Sequence, residues 1–390
     1  MEFFKNPNFD FLGKKWYFVA LSILAVVASL VLLATKGLTY GIDFRGGADV
    51  VLRFREAPAI DQIRSALSSA GMDGAQIQEQ RNADAPTAHD VLIRVPPVKG
   101  ASEDVQEEQG DISGRVLGAL RAGLRAESAG ATKLDLNIAG ASEIRKELLA
   151  AFPNSETMAA TAADAIAEYR NTHGGILKDI EEARQVPGVS PEAAAWLRDN
   201  ATVGGFAIRS VDYVGPSVGK ELKTRALYAI LGSLVAMLIY IWFRFEKLAF
   251  GVSAIITLAH DAIIALGAVS LTGKEFDLTV LAAVLTIVGY SINDTIVIFD
   301  RVRENIRHHK GENIERLFNN SINQTLGRTI LTTFLVLMVV LTLWLFGGSR
   351  LNPFSFTLLI GVISGSYSTI YVSSPIVIWW RRLVDKKATA

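Results

Sequence analysis
The chain has 390 residues, with 39 basic and 39 acidic side chains, a formal net charge of +0, half its residues hydrophobic and no cysteine. Without cysteine there are no disulfides, thiolate nucleophiles or Cys-ligated zinc or iron–sulfur centres. Any part exposed to an oxidising compartment is therefore held by its core alone. Net charge says nothing about partners here, but the segregation of apolar residues does: they crowd into residues 16–34 and the region after Ala226.

Residues 1–15 carry Lys5, Lys14 and Lys15, and residues 16–34 form an apolar run of about 19 residues. That run is longer than the apolar core of a cleaved signal, and further spans follow, so it reads as a retained first transmembrane helix. Residues 35–225 read as one external domain. Within it, residues 49–55 alternate and are rich in Val, which predicts a strand. Ile60, Ile63, Ala66, Leu67 and Ala70 share one helical face over residues 59–70, and Gly71 and Gly74 end that helix. Residues 75–81 and 90–95 read as strands, broken by Pro96 and Pro97. A helix over 103–127, a strand over 134–138, a helix over 142–151 and a closing strand over 206–211 follow. The strand–helix–strand–strand–helix–strand order predicts an α+β, ferredoxin-like sandwich. An Ala-rich helical stretch over 153–200 reads as an insertion on it, occupying with its flanks about 100–206. His173, beside Gly174 and Gly175, reads as a solvated loop histidine.

Residues 226–243, 248–271, 278–299, 330–346 and 354–380 supply five more runs of the roughly 17–25 residues that a bilayer core requires. The fold class is thus a six-helix transmembrane bundle with an external α+β domain, and residues 226–382 hold spans two to six before a tail at 383–390. Arg244 and Lys247 follow the second span; Arg301, Arg303, Arg307, Lys310 and Arg316 follow the fourth; Arg381, Arg382, Lys386 and Lys387 end the chain. The opposite side carries only Lys274 and Arg350 in its short loops. The positive-inside rule puts both termini in the cytoplasm and the large domain outside. Trp16, Tyr17, Trp242, Trp344, Trp379 and Trp380 lie near span ends, as interfacial anchors do.

The informative chemistry is intramembrane, because an ionisable group in hydrocarbon is costly and marks an ion or proton pathway. Asp294 stands in the fourth span with Asn293 and Thr295, and Tyr290 and Ser291 precede it on the same helical face. Gly289 is expected to admit a neighbouring helix. Asp294 reads either as a proton carrier or as a polar clamp between helices. Arg328 begins the fifth span; it either pairs with Asp294 or snorkels to the interface. His260 and Asp261, midway along the third span, are either a further relay or a helix–helix hydrogen bond, and rank below Asp294 because their sequence neighbours are apolar. Gly361, Gly365, Ser364, Ser366, Ser368, Ser373 and Ser374 give the sixth span a small-residue packing face, which Pro375 kinks. Asp300, Arg301, Arg303 and Glu304 read as a cap on the fourth helix, and residues 313–320 as a segment lying on the membrane surface. No P-loop, nucleophile elbow or HExxH pattern occurs, so no enzyme activity, cofactor or metal is expected.

Several phrases are family-like. Gly41-Ile42-Asp43-Phe44-Arg45-Gly46-Gly47 follows the first span, and Val214-Gly215-Pro216-Ser217-Val218-Gly219-Lys220-Glu221-Leu222 precedes the second. GYSINDTIVIFDRVRE begins at Gly289, NQTLGRTILT at Asn323, and a GxxSGSYSTIYVSSP pattern runs from Gly361 to Pro375. In these motifs the chain resembles the SecF branch of the SecD/SecF protein-export family, over its first ~100 residues and all of 211–382. The resemblance implies a partnership with SecD in a resistance–nodulation–division (RND) type assembly of the bacterial inner membrane, with a periplasmic domain. It also implies association with the SecYEG channel, with YajC and YidC as further partners. Unfolded preproteins are the clients, the proton-motive force is the energy source, and no nucleic acid is involved. By motif, the family's intramembrane aspartate and arginine fall on Asp294 and Arg328, and protonation would change their pairing and move the external domain. The stretch 100–206 departs from the family pattern. Two other readings stay open: an RND-type small-molecule or lipid exporter, and a passive scaffold of a membrane complex.

Overall fold
The structure is a computed structural model that describes residues 7–80, 89–96, 105–123, 133–245, 247–309 and 311–388. Lys5, Arg81, Pro97, Lys310 and both ends of the helix expected over 103–127 lie outside the described residues. The chain divides into two compact units, Met1–Phe44 with Glu221–Ala390, and Arg45–Lys220.

The Arg45–Lys220 unit holds a four-stranded antiparallel sheet in the order Gln76–Gln80, His89–Val95, Gly47–Phe54, Phe206–Val214. Helix Ile60–Ser69 connects the first and second strands in sequence, and helix Val105–Gly123 follows the third. This is the ferredoxin-like arrangement. Strand alternation explains its two faces. Val50, Leu52, Val91 and Ile93 pack with Ile63, Leu67, Ile112, Val116 and Leu120 of the two helices. On the other face the register sets Asp49 opposite Arg94 and Arg53 opposite Asp90, and both pairs close as ion pairs at 2.8 and 2.6 Å. Arg53 is only 2 % exposed, because its guanidinium holds both Asp90 oxygens and also donates to the Gly174 carbonyl.

Of residues 134–138, only Leu134–Asp135 is strand, paired in parallel with Ala201–Thr202 outside the main sheet. The Asp135 carboxylate accepts from the Asn137 and Gly204 amides, both at 3.0 Å, and turns the chain where a strand is expected. Helices Ala141–Ala151, Glu156–Thr172, Ile180–Arg184 and Pro191–Asn200 then enclose a core of their own, with Ile144, Leu148, Ala159, Ala162, Ile166 and Leu197. Asp179 and Ser190 cap the last two helices. Of the stretch from about 100 to 206, helix Val105–Gly123 therefore belongs to the sandwich, and the separate core begins near Leu134. Asn137 joins this core to the loops around it, bonding both backbone groups of Leu177 and the Gly204 carbonyl. His173 is an exposed residue at a helix end, stacked on Tyr169.

The other unit supplies, among the described residues, six helices long and apolar enough to cross a membrane. The first five are Lys15–Thr35, Pro216–Phe245, Leu248–Thr272, Leu278–His308 and Ile314–Phe346. The sixth runs as Gly348–Ser368, a π-helical turn Thr369–Ser373, and Ser374–Ala388. The chain is a multi-pass membrane protein. Spans three, four and six are largely buried against protein, whereas one, two and five expose apolar residues such as Leu24, Ile239 and Phe334. The π turn answers the expectation of a kink at Pro375. Proline has no N–H for the carbonyl four residues back, and one wider turn absorbs the mismatch.

Residues 313–320 do not form a separate surface segment. They are the first turns of the 33-residue fifth helix, and Leu317 and Phe318 are buried in the bundle. Their apolar face meets protein. Asn319 and Asn323, one turn apart, instead grip the segment before the first span, bonding the Phe9 and Phe11 amides and the Phe9 carbonyl at 2.8–2.9 Å. The expected cap near Asp300 lies inside the fourth helix, which runs on to His308. There Asp300 pairs with Arg244, and Arg303 donates to the Arg244 carbonyl, so these residues finish the second helix as much as the fourth.

Candidate functional site within the membrane helices
Asp294 faces the bundle interior and is 2 % exposed. Its position follows from a fourth helix whose buried stripe includes Ile287, Ser291, Asp294, Thr295 and Ile298. Its Oδ2 is buried with no hydrogen-bond partner among the described residues. On the same helix the Tyr290 hydroxyl donates to Thr333 Oγ1 of the fifth, at 2.9 Å. Asn305 donates to Ser321 at 2.8 Å. These two bonds fix the antiparallel register of the helices and bring Arg328 and Thr329 level with Asp294. Thr329 Oγ1 is likewise buried and unpartnered.

Arg328 does not begin the fifth helix; it lies near its middle, because that helix starts at Ile314. It is exposed on the isolated chain and makes no ion pair with Asp294, although its charge acts on that carboxylate. The expected Asp294–Arg328 contact is thus an electrostatic neighbourhood rather than a bridge. Asn293 is exposed. Gly289 meets nothing within 4 Å of a would-be Cβ and so is not at a helix crossing. The crossing is made by Gly361, where a Cβ would overlap Ile287, and by Gly365, where one would lie 3.2 Å from Ser291 Cβ.

At Asp261 the structure shows helix–helix hydrogen bonds, one of the two readings open from the sequence, in a setting more polar than its rank below Asp294 implied. Its sequence neighbours are apolar, yet its spatial neighbours are not. It is fully buried and accepts hydrogen bonds from Ser291 of the fourth helix at 2.6 Å and from Ser364 and Ser368 of the sixth at 2.6 and 2.8 Å. His260 Nδ1 lies 3.0 Å from the same carboxylate. Ser291 therefore faces Asp261, and Thr295 bonds the Ser291 carbonyl and Thr369. Ser364 and Ser368 read from the sequence as packing residues. Their four-residue spacing beside the two crossing glycines was the available signal.

The glycine-rich motif after the first span works in two places. Within the membrane unit Gly41 packs on Asp277, and Asp43 Oδ2 accepts from the Leu278 amide, which helps cap the helix that carries Asp294. Within the other unit Gly46 and Gly47 have φ of +74° and +115°, which L side chains rarely adopt, and Gly46 packs on the Pro216 backbone. Arg45 is exposed at the end of the turn Ile42–Arg45. Pro216 opens the second spanning helix, where its missing N–H costs nothing, and the Gly219 amide closes its first turn on the Gly215 carbonyl.

Residues 31–58 match the SecD/SecF GG motif, and residues 196–383 match the C-terminal region of the protein-export membrane proteins SecD/SecF. The protein translocase subunit SecF of Koribacter versatilis is 39% identical over all of this chain and 96% of its own length. The chain belongs to the SecD/SecF family. The SecF subunit of Escherichia coli O157:H7 is 32% identical over 95% of this chain and 87% of its own length. Among solved structures, SecDF from Thermus, described as a translocon-associated membrane protein, superposes with a TM-score of 0.64 at 28% identity over 97% of this chain. A super-membrane-facing form of SecDF gives 0.57 at 29% identity. The chain spans about two-fifths of the length of those SecDF chains, 39% and 41%.

Proposed function
We propose that this chain is the SecF-type subunit of a protein-export assembly and that, with SecD, it uses the proton-motive force to promote late translocation of preproteins across the bacterial inner membrane. The observation that carries the proton-driven part is Asp294, a buried intramembrane carboxyl with one oxygen unpartnered and a permanent cation on the neighbouring helix. Such a group is costly in hydrocarbon and so marks a functional site. Proton binding there removes the negative charge that Arg328 senses, and a few kcal/mol of altered pairing is enough to shift a two-state helix arrangement most of the way. Asp261 acts in the same polar layer. The chain has no enzymatic role in this scheme. Both termini lie in the cytoplasm and the Arg45–Lys220 unit is periplasmic, in keeping with the distribution of Lys and Arg. SecYEG is the channel served, YajC and YidC are further partners, and unfolded preproteins are the clients.

The test is Asp294→Asn in the full assembly. Proton-dependent stimulation of export is expected to be lost, while accumulation and co-purification with SecD stay unchanged. Stimulated export retained in full would overturn the proposal, and loss of SecD together with export would mark a scaffold.

A further inference from the structure
Asp261 and His260 form a second buried ionisable pair, whose geometry specifies more than a helix contact. The Asp261 carboxylate already receives three hydroxyl hydrogens, from Ser291, Ser364 and Ser368. A carboxylate so engaged is an acceptor, so the hydrogen in the contact to His260 belongs to Nδ1. The imidazole lone pair then lies on Nε2. That atom is buried and has no hydrogen-bond partner among the described residues, and His260 is 6 % exposed. A histidine whose one nitrogen is held by an anion and whose other carries a free lone pair is set up to accept a proton.

The charge balance points the same way. The elements packed on the third span are the first, second, fourth and sixth, and none carries Lys or Arg between residues 16 and 34, 226 and 243, 278 and 299, or 351 and 380. Their titratable groups in those stretches are Tyr17, Asp294, Tyr290, Tyr367 and Tyr371, with Tyr228 and Tyr240 exposed on the second span, besides Asp261 itself on the third. Tyr17 lies exposed at the helix end, the Tyr290 hydroxyl is taken up by Thr333, and that of Tyr367 by the Phe18 carbonyl. Tyr371 stacks on Phe18. Arg328, on the fifth helix, is exposed. The cation that Asp261 lacks is thus available from His260 once its Nε2 is protonated.

We propose that His260 is a second intramembrane proton-binding group. A proton taken from an aqueous acid forms an Nε2–H bond, and the resulting imidazolium is paired through Nδ1–H with Asp261. Because Ser291 and Ser364/Ser368 anchor that carboxylate to the fourth and sixth helices, the charge on His260 acts on the helix that carries Asp294, three residues from Ser291. This deepens the proton-driven reading above, but its measurement does not depend on export.

The experiment is solid-state NMR of the full chain in proteoliposomes, with ¹⁵N-labelled imidazoles and a titration from about pH 9 to about pH 5. The chain has five histidines, and His260→Asn identifies the one signal set that belongs to His260. The expected result is the Nδ1–H tautomer at alkaline pH, converting to the two-NH imidazolium pattern as pH falls. Asp261→Asn is expected to abolish the preference for that tautomer; if this variant does not fold, Ser368→Ala tests the same cluster and is expected to keep it. An Nε2–H tautomer, or a neutral signal unchanged throughout the range, overturns the proposal. Asp294→Asn is expected to leave the His260 titration in place, so failure of one assignment does not carry the other.

Discussion

At the residue scale, buried charge in this protein is organised in two ways. In the sheet, opposite charges are placed directly across neighbouring strands, and each carboxylate meets a guanidinium that presents parallel donors. In the membrane, Asp261 is satisfied by hydroxyls and an imidazole, whereas Asp294 keeps an oxygen in reserve. The first arrangement is structural and has a direct cost when broken. Arg53→Ala takes away the two-point partner of Asp90 and the donor to Gly174, and is expected to destabilise the Arg45–Lys220 unit by about 3 kcal/mol. Arg53→Lys should recover only part of this, since an ammonium cannot bind both oxygens in fork geometry. Urea unfolding of the full chain in detergent, followed by tryptophan fluorescence, reads the loss; an unchanged midpoint for the alanine variant would contradict the buried-pair account. Arg53, Asp90, Arg94 and Asp49 could be seen in the sequence only as alternating strand positions, because which strand lies opposite is a property of the register.

At the element scale, the sixth span shows why small residues recur. Gly361 and Gly365 let the fourth helix approach until Ile287 and Ser291 fill the space a side chain would take, and the π turn after Ser368 re-aims the rest of the helix past Pro375. Gly361→Ala is expected to cost about 1–3 kcal/mol, because the β-branched Ile287 has little rotamer freedom with which to yield. Gly289→Ala, two residues by sequence from each of the crossing residues Ile287 and Ser291 but with open space around it, is expected to be neutral or slightly stabilising. Thermal unfolding of the two variants side by side checks the contrast, and equal losses would refute it. The sequence revealed the span and its small-residue packing face, but it also expected a close approach at Gly289, which has open space around it. Periodicity tells which residues share a face, and not which face meets a neighbour.

For the whole molecule, charge asymmetry across short loops predicts orientation, and the absence of native cysteine allows a direct reading. Glu168→Cys, exposed in the Arg45–Lys220 unit, is expected to react with a membrane-impermeant maleimide in spheroplasts. His308→Cys, exposed at the end of the fourth helix, is expected to react only after permeabilisation. The opposite pattern would invert the topology. The two units also differ in how they were legible. Four of the sheet strands and both sandwich helices follow from alternation and helical faces, whereas Asp135 turns the chain where a strand was expected, through side-chain bonds to amides as distant as Gly204.

The number of membrane crossings was legible from composition, because twenty-odd apolar residues in a row have no other low-energy solution in lipid. That Asp294 faces protein was legible as well, since hydrocarbon penalises an ionisable group. The surroundings of Asp261 emerge only from helix packing. Its partners Ser291, Ser364 and Ser368 lie 30, 103 and 107 residues away. They meet only because the third, fourth and sixth helices pack together, the last two crossing at Gly361 and Gly365. A hydroxyl announces nothing about its partner until packing has chosen one.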